Sequence, residues 1–403
     1  MLNIGTRSIA ALRLGEREIK KAFLGERLVF DSAPPVPTYT ITATIDPTGS
    51  GTVTGVGQYQ EGAAVTLVAA AGDGYEFSGW QEGGQTVSTA ATYTFRVAGD
   101  RTLTAVFEEY LPYVSGADWW AITLPLSTTW CSVAYGNGTF VALAYNSDKV
   151  AYSSDGINWT ITTLPSRAYW QRIAYGSGKF VIVSSYTLSN KVAYSPDGIN
   201  WKAATLPLSA AWGGITYGDG KFVIVADNTS NKAAYSMDGI NWTAVTLPVS
   251  ASWRGVTYGD GKFVAAAFDS DKAAYSMDGI NWTITTLPSR AYWFGLTYGS
   301  GKFVVIDGAN KKVAYSPDGI SWTATTLSEF TSWCSVTYGD GKFVAVEYDS
   351  DKALYSPDGI NWMAATLPSH AYWYDITYGN GKFVAVVYNS DKAAFSSAKG
   401  PSV

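Results

Sequence analysis

The sequence predicts an all-β protein, most of which is a seven-bladed β-propeller. One short phrase recurs seven times: a tryptophan, four further residues, Tyr-Gly-x-Gly, a Lys or Thr, and then Phe-Val. Its period is 40 to 42 residues, and each period holds four short strand-like runs separated by glycine-containing turns. A fixed period of this length, filled with strands, is typical of propeller blades and not of helical solenoids. The repeated phrases begin at Trp130, Trp170, Trp212, Trp253, Trp293, Trp333 and Trp373.

The fourth repeat illustrates how each blade is expected to form. Residues 253–258 are predicted as the inner strand, 262–266 as the second, 273–276 as the third and 280–287 as the outer strand. Glycine, or Asp-Gly, stands between the first and second strands and between the third and fourth, where tight hairpins need residues that tolerate positive φ. The remaining segments are loops between strands two and three, and crossings to the next blade.

The last repeat lacks an outer strand, because the chain ends soon after Phe395. A matching segment stands before the first repeat: Trp119 precedes Trp130 at the offset at which Trp159 precedes Trp170. We therefore expect the N-terminal strand of the propeller, residues 113–125, to complete the last blade and to close a ring of seven blades. The propeller domain is assigned to residues 113–403.

The turn between the third and fourth strands has a sequence signature of its own, Ser-x-Asp-Gly-Ile-Asn-Trp. This pattern resembles the Asp-box repeat of sialidase-like propellers, although the Asp-box pattern has one more residue between Asp and Gly. The resemblance implies a structural element, in which the carboxylate caps backbone N–H groups and the tryptophan wedges between blades. The segments are 195–201, 236–242, 276–282 and 356–362, with close variants at 153–159 and 316–322.

Residues 1–33 form a separate N-terminal segment. Residues 9–17 are echoed by residues 19–27, and both copies contain Leu-Gly-Glu-Arg, which reads as a turn between short strands. A helix over Glu16–Phe23 is the alternative. So short a segment cannot bury a useful core, so it is expected to attach to a partner or to oligomerise. It resembles the repeated Leu-Gly leaders of phage tail proteins from Gram-positive hosts, which implies attachment to other virion proteins.

A proline-rich linker leads to a small β module, residues 38–109. Strands are predicted at residues 39–45, 65–69, 75–80, 93–97 and 103–107, with glycine-rich turns between them. The core Gly74-Tyr-x-Phe-x-Gly-Trp80 and the closing Leu103-Thr-Ala-Val-Phe107 resemble the divergent internalin B-repeat family. That resemblance implies a β spacer or adhesive module, and we interpret this one as a spacer.

Composition narrows the functions that are open. The net charge is −5 and no basic patch is visible, so nucleic acid is not expected as a partner. The single histidine, His370, argues against a multi-histidine metal site, and no cofactor is expected. Cys131 and Cys334 lie in non-neighbouring blades, so we expect free thiols. Neither a signal peptide nor a membrane-spanning segment is predicted, which suits assembly into a virion released by lysis.

Differences between the repeats are expected to gather on one face of the propeller. Turns one-to-two and three-to-four are nearly uniform and share one face, whereas two-to-three loops and blade crossings share the other and vary. Exposed aromatic rings beside short polar groups suit sugars and protein surfaces. The candidate ligand-binding residues are Tyr169, Tyr292 and Tyr372 before the inner tryptophans, Arg254, Phe294 and Tyr374 after them, and Tyr145, Phe268, Tyr348 and Tyr388 in the loops, where Tyr186 also lies.

The function expected from these features is that of a phage tail adhesin, which recognises a host cell-surface glycan or protein through this face. A structural decoration protein of the virion is one alternative, and a sialidase-like glycoside hydrolase is another. The hydrolase is disfavoured because the propeller has only the arginines 167, 172, 254 and 290 and the glutamates 329 and 347. An arginine triad with a Tyr/Glu pair, or two paired glutamates, is therefore not evident. Calcium in the Asp-Ser-Asp loops (269–271, 349–351) is a further alternative to ordinary hairpin loops.

Overall fold

The computed structural model describes residues 36–72, 74–109, 114–185, 188–327 and 332–398, together with short strands between residues 2 and 31. The chain divides into two compact units, Met1–Pro112 and Tyr113–Val403. All regular structure in the described residues is β. No helix capable of crossing a membrane occurs in that part of the chain.

The N-terminal segment contains three antiparallel hairpins, which pair β1 with β2, β3 with β4 and β5 with β6. The helix considered for residues 16–23 is wrong, since strands occupy Arg17–Ile19 and Lys21–Leu24. The first hairpin was missed, although Ile4-Gly-Thr-Arg7 parallels Leu14-Gly-Glu-Arg17. The strands are β1 Leu2–Ile4, β2 Arg7–Ile9, β3 Leu12–Leu14, β4 Arg17–Ile19, β5 Lys21–Leu24 and β6 Arg27–Asp31.

The small module contains the five predicted strands and three further ones, arranged in two sheets. One sheet has the order β13-β10-β8 and the other β12-β11-β14-β7-β9, in which β14 and β7 are parallel. Alternating apolar residues of both sheets meet in a core around Trp80, Leu103 and Phe107. The strands are β7 Thr38–Asp46, β8 Gly51–Thr54, β9 Gly57–Gln60, β10 Ala64–Ala71, β11 Tyr75–Glu82, β12 Gln85–Ser88, β13 Thr92–Arg96 and β14 Arg101–Glu109.

The second unit is a β-propeller of four-stranded antiparallel sheets. Two neighbouring sheets are joined by one long strand, β27, which pairs with β26 through its first half and with β28 through its second. The strands, blade by blade, are β16 Trp130–Gly136, β17 Thr139–Ala144, β18 Ser147–Ser153, β19 Thr160–Ala168; β20 Trp170–Gly176, β21 Lys179–Ser184, β22 Ser189–Ser195, β23 Lys202–Ala210; β24 Trp212–Gly218, β25 Lys221–Ala226, β26 Ser230–Ser236, β27 Thr243–Gly259; β28 Lys262–Phe268, β29 Ser270–Ser276, β30 Thr283–Ala291; β31 Trp293–Gly299, β32 Lys302–Asp307, β33 Lys312–Ser316, β34 Thr323–Thr326; β35 Trp333–Gly339, β36 Lys342–Glu347, β37 Ser350–Ser356, β38 Met363–Ala371; β39 Trp373–Gly379, β40 Lys382–Val387, β41 Ser390–Ser397, and β15 Trp120–Thr128.

The inner strands close into a ring through one repeated contact. The glycine of each Tyr-Gly pair faces the tyrosine ring of the next blade so closely that a Cβ on Gly299 would lie 2.0 Å from the ring of Tyr338. The same contact leads from each blade to the next, and Gly379 of the last blade meets Tyr135 of the first. Within the described residues, these contacts form a closed cycle of seven.

The last blade is completed by the N-terminal strand, as predicted. Strand β15 pairs antiparallel with β41, with Trp120 opposite Phe395, and the two rings lie 5.4 Å apart. The sheet order is β15-β41-β40-β39, so the two ends of the unit share one sheet. Pairing in this way removes the exposed sheet edge that β41 would otherwise present.

The tryptophans that begin the inner strands are wedges between blades. All seven are at most 3% exposed, and the indole N–H of Trp130 donates to the carbonyl of Leu126 at 3.1 Å. They pack against valine, alanine and phenylalanine side chains of two neighbouring sheets. Their role is therefore in the core and not in ligand contact.

Each Ser-x-Asp-Gly-Ile-Asn-Trp segment forms a compact turn, here called the Asp-box turn. In the first, Oδ1 of Asp155 accepts hydrogen bonds from the backbone N–H of Ile157 and Asn158, both at 2.8 Å. Burial alone would raise the pKa of Asp155, but these hydrogen bonds and those from the side chains of Asn158 and Ser153 outweigh it and lower the pKa to about 2. The resemblance to the Asp-box therefore extends to its capping function.

The outer strands begin later than expected. In the fourth blade, β30 starts at Thr283 and not at Ile280, because Ile280-Asn-Trp282 still belongs to the Asp-box turn. The strand then continues to Ala291, which pairs with Ser270 across an irregularity in the register. The crossing to the next blade is correspondingly short.

Candidate functional site

Strand direction divides the loops of the propeller between two faces. Because the sheets are antiparallel, the turns after strand one and after strand three lie at one end, and the two-to-three loops and crossings lie at the other. The first end is here called the turn face, and its one-to-two turns share one backbone conformation. Asn137 and Gly138 have φ of 47° and 76°, and Asp260 and Gly261 have φ of 46° and 72°. The second end, the variable face, holds all ten candidate residues. The side chain of Tyr186 lies outside the described residues.

The candidate residues of the variable face are not scattered but form pairs across blade boundaries. The loop aromatic of one blade packs on the tyrosine that precedes the inner tryptophan of the next blade. Three such pairs have centroid separations of 5.0 to 5.3 Å: Tyr145 with Tyr169, Phe268 with Tyr292, and Tyr348 with Tyr372. Tyr292 and Tyr372 remain 41% and 44% exposed, so the second and third pairs each present one ring to solvent, whereas both rings of the first pair are half-buried.

The second pair belongs to a larger cluster that contains a cation. Phe294 meets Phe268 edge to face at 5.6 Å, and the guanidinium of Arg254 lies 3.7 Å from the centroid of Phe268 and 5.2 Å from that of Phe294. The Nε of Arg254 donates a hydrogen bond to Oδ2 of Asp227 at 2.8 Å. Cation–π contacts and an ion pair thus fix this side chain at the rim.

The third pair extends inward through Tyr374. This ring lies 6.4 Å from Tyr348 and is stacked on Tyr388 at 5.3 Å. Its hydroxyl accepts a hydrogen bond from Nε2 of Gln171 at 3.4 Å. Burial raises the pKa of Tyr374 above its ordinary value. A phenol is protonated at neutral pH in any case, so its O–H can donate a hydrogen bond.

Two adjoining cavities, of about 200 and 230 Å³, lie where the inner strands open onto the variable face. Both are lined by Arg172, Arg254, Phe294 and Tyr374. Part of the surrounding inner wall has no side chain, because Gly214, Gly255 and Gly295 occupy the second position after the tryptophan in three of the seven blades. The candidate site is therefore a pocket at the mouth of the ring, bordered by the aromatic clusters.

Besides Asp227, which pairs with Arg254, two charged residues of this pocket were not selected from the sequence, Arg172 and Asp375. Asp375 accepts hydrogen bonds from the hydroxyls of Ser132 and Ser335 at 2.9 and 2.6 Å, and from the backbone N–H of Val133 at 2.9 Å. Arg172 donates to the carbonyl oxygens of Gly213 and Gln171. The signal available in the sequence was their position two residues after a tryptophan, where other blades have glycine or serine.

The remaining candidates for chemistry are structural. Both cysteines are free, and burial raises the pKa of Cys131 and of Cys334, whose thiols donate to the carbonyls of Trp170 and Trp373. In the Asp-Ser-Asp loops, Asp269 pairs with Arg290. Among the described residues, no cluster of His, Cys, Asp or Glu has the composition of a metal site.

Comparison with known proteins supports both units at the level of fold. Residues 41–110 match the family model of the divergent InlB B-repeat domain, which confirms the resemblance read from the module's sequence. No curated protein matches the chain.

Solved β-propeller structures resemble the second unit. Virginiamycin B lyase from Staphylococcus aureus is 15% identical, with a TM-score of 0.63 over 70% of this chain and 99% of that one. YCF48 bound to D1 peptide is 16% identical, with a TM-score of 0.57 over 71% of this chain and 97% of that one. YCF48 from Cyanidioschyzon merolae is 12% identical, with a TM-score of 0.55 over 71% and 100%. At these identities the likeness establishes the all-β propeller fold alone.

Proposed function

We propose that this protein is an adhesin of a phage tail, which binds a glycan or protein on the host cell surface through the variable face. The observation that carries the proposal is the gathering of the ten candidate residues into three clusters on one face, of which Arg254, Phe294 and Tyr374 line the pocket. Rigid aromatic rings with adjacent polar groups provide large contact area at low entropic cost. The turn face, in contrast, offers the same short turns in blade after blade.

The other two parts of the chain suit this role. The N-terminus forms three short hairpins. The resemblance to phage tail leaders implies that this segment attaches the chain to other virion proteins. The B-repeat module is a two-sheet domain with its own core, as a spacer between attachment and recognition requires. Location on the virion follows from these assignments.

Catalysis is not part of the proposal. The staphylococcal lyase is catalytically inactive when one of its histidines is replaced by alanine. The single histidine here, His370 of β38, has a side chain that is 67% exposed, and its Nδ1 lies 3.9 Å from Oδ1 of Asp349. Neither residue lines the pocket. The pocket carboxylates Asp227 and Asp375 are held by hydrogen bonds to neighbouring groups. Binding is the function that this arrangement supports best.

The test is binding of the purified protein to a panel of Gram-positive cell walls and to a glycan array. Replacing Tyr292, Phe294 and Tyr374 together by alanine should reduce binding at least about ten-fold, because truncated aromatic anchors typically cost more than about 1.4 kcal/mol each. The matched control replaces Met237 and Met277, which are 58% and 61% exposed on the turn face. Circular dichroism should show that both variants remain folded.

Two outcomes would reject the proposal. Cell-wall binding that survives in the aromatic variant would place recognition elsewhere on the chain. Failure of the wild-type protein to bind any wall or glycan would favour a structural decoration protein instead.

A further inference from the structure

We infer that the ligand of the variable face is an acidic saccharide, whose anionic group, a carboxylate or a phosphate, binds in the pocket between Arg172 and Arg254. The inference rests on the proposed function and names the chemistry of its ligand. It is carried by the charge arrangement of the pocket, by the space beside the two arginines and by the aromatic rings at the rim.

Arg172 is a cation without an acidic partner. Its Nε donates to the carbonyl of Gly213 at 2.8 Å and its Nη1 to the carbonyl of Gln171 at 3.3 Å. Among the described residues, none supplies a carboxylate oxygen within 4 Å of this guanidinium. A guanidinium carries five donors in a planar fork, and the fork matches the oxygens of carboxylates and phosphates. Donor capacity and charge are therefore available to a ligand.

The two carboxylates that line the pocket are already occupied. Asp227 accepts from Nε of Arg254 at 2.8 Å and from the backbone N–H of Asn228 at 2.7 Å. Asp375 accepts from two serine hydroxyls and from the backbone N–H groups of Val133 and Ile376. Neither is in salt-bridge contact with Arg172. No salt bridge holds the Arg172 guanidinium among the described residues, so the anionic group of a ligand can form one with it.

The blade between the two arginines adds no side chain to the pocket at the first two positions after its tryptophan, Gly213 and Gly214. Every other blade carries a side chain at the position of Gly213, and a Cβ on Gly213 would lie 2.2 Å from the carbonyl oxygen of Trp253. A side chain at this position is therefore excluded by backbone. Gln171 and the phenol of Tyr374 add neutral donors at the same opening.

The size and lining of the pocket favour a saccharide over a protein. Cavities of about 200 and 230 Å³ accept a group of the size of one sugar ring, whereas a stable protein interface covers about 800 Å² per partner. Phe294 and Tyr374 border both cavities. The two aromatic side chains offer apolar contact to a pyranose ring while the arginines hold its charged substituent.

The experiment measures binding of four probes by ligand-observed NMR: glucuronate, glucose 6-phosphate, inorganic phosphate and glucose. We expect the acidic sugars to bind more tightly than glucose, and their binding to weaken as salt is raised. Arg172→Gln should reduce affinity for the acidic sugars about ten-fold or more, and Tyr374→Phe less, since the latter removes one hydrogen bond. Arg172→Lys, which keeps the charge but not the fork, should lie between Arg172→Gln and the wild type.

Arg290→Gln is the matched control, because Arg290 lies on the same face, is 71% exposed in its side chain and pairs with Asp269 outside the pocket. Its affinity should equal that of the wild type. Preference for glucuronate or for glucose 6-phosphate identifies the carboxylate or the phosphate as the natural group. Equal binding of glucose and the acidic sugars, or undiminished binding by a folded Arg172→Gln variant, would overturn the inference.

Failure of this inference can be told apart from failure of the proposed function. If the aromatic variant loses wall binding while Arg172→Gln retains it, the variable face is adhesive but its ligand is not an acidic saccharide held by Arg172. If Arg172 governs binding of acidic sugars while the aromatic variant still binds walls, the anion site stands and the adhesive assignment does not.

Discussion

The backbone N–H of Gly116 donates a hydrogen bond of 2.7 Å to the hydroxyl of Ser396, across 280 positions of the sequence. It reproduces the bond from Gly156 to Ser153 inside the first Asp-box turn. The indole N–H of Trp119 donates to the carbonyl of Gly116 at 3.0 Å, as that of Trp159 donates to Gly156. The last blade thus has an Asp-box-like turn assembled from the two ends of the propeller, with Ser115 where the other turns have aspartate.

Removing the N-terminal half of this split turn should prevent a stable propeller. Deletion of residues 113–125 takes away Gly116, Trp119 and most of β15, including its pairs from Trp120 to Thr123, and leaves most of the edge of β41 unpaired. We expect the truncated protein to aggregate or to elute heterogeneously in size-exclusion chromatography. Deletion of residues 1–37, which precede the module, is the control and should leave the propeller monodisperse. A truncated protein with the full-length melting temperature would contradict the closure described here.

Acid should weaken the propeller through its Asp-box turns. Hydrogen bonds lower the pKa of Asp155 and of Asp358 from 3.8 to about 2, despite the opposing effect of burial. Because the folded-state pKa lies below the unfolded one, the stabilisation is present above about pH 4 and is lost as pH falls toward 2. The melting temperature, measured from pH 7 to pH 2, should fall in that window.

The double variant Asp155→Asn, Asp358→Asn tests the assignment. At pH 7 it should be less stable by about 1 kcal/mol per turn, the usual cost of a weakened cap. Its melting temperature should also decline less between pH 4 and pH 2, since two of the titrating groups are gone. Asp271→Asn, at an exposed position near the start of β29, is the control. An unchanged acid slope in the double variant would refute this source of acid sensitivity.

Closure of the ring should be sensitive to one added methyl group. In Gly299→Ala the Cβ would meet the ring of Tyr338 at 2.0 Å, so one inner strand must shift against the next. We expect a loss of about 3 kcal/mol in the free energy of unfolding, measured with urea.

Gly301→Ala is the companion variant, because its Cβ meets nothing within 4 Å and only its φ of +72° is unfavourable. Backbone strain of that kind costs about 1 kcal/mol. If the two variants were equally stable, steric contact between blades would not be what fixes the ring.

Much of the fold was predictable because the same residues occur at the same strand and turn positions in the successive repeats. The Tyr-Gly pairs, the Asp-Gly turns and the missing outer strand of the last blade all follow from local chemistry and from counting offsets. The strand bounds were less accurate, since Ile280-Asn-Trp282 reads as an apolar run although its backbone serves the turn. Strand β12 was missed because residues 85–88 carry little apolar periodicity.

The site was predictable as a face but not as a pocket. Strand direction alone brings the ten candidate residues to one end, and their pairing depends on which loop lies beside which crossing. Arg172 and Asp375 acquire their roles from neighbours in other blades: Gly213 for the first, Ser132 and Ser335 for the second. Hydrogen bonds of this kind, between residues of different blades, cannot be predicted from the sequence of one repeat.

The pairing of aromatic rings across blade boundaries limits how the variable face can change. The ring of Phe268 packs on that of Tyr292, and the ring of Tyr348 on that of Tyr372, so each contact joins two consecutive copies of the repeat. A copy that is duplicated or exchanged as a whole carries one half of two different pairs. An exchanged segment therefore keeps such a pair intact when it starts in one blade's two-to-three loop and ends after the next blade's tryptophan.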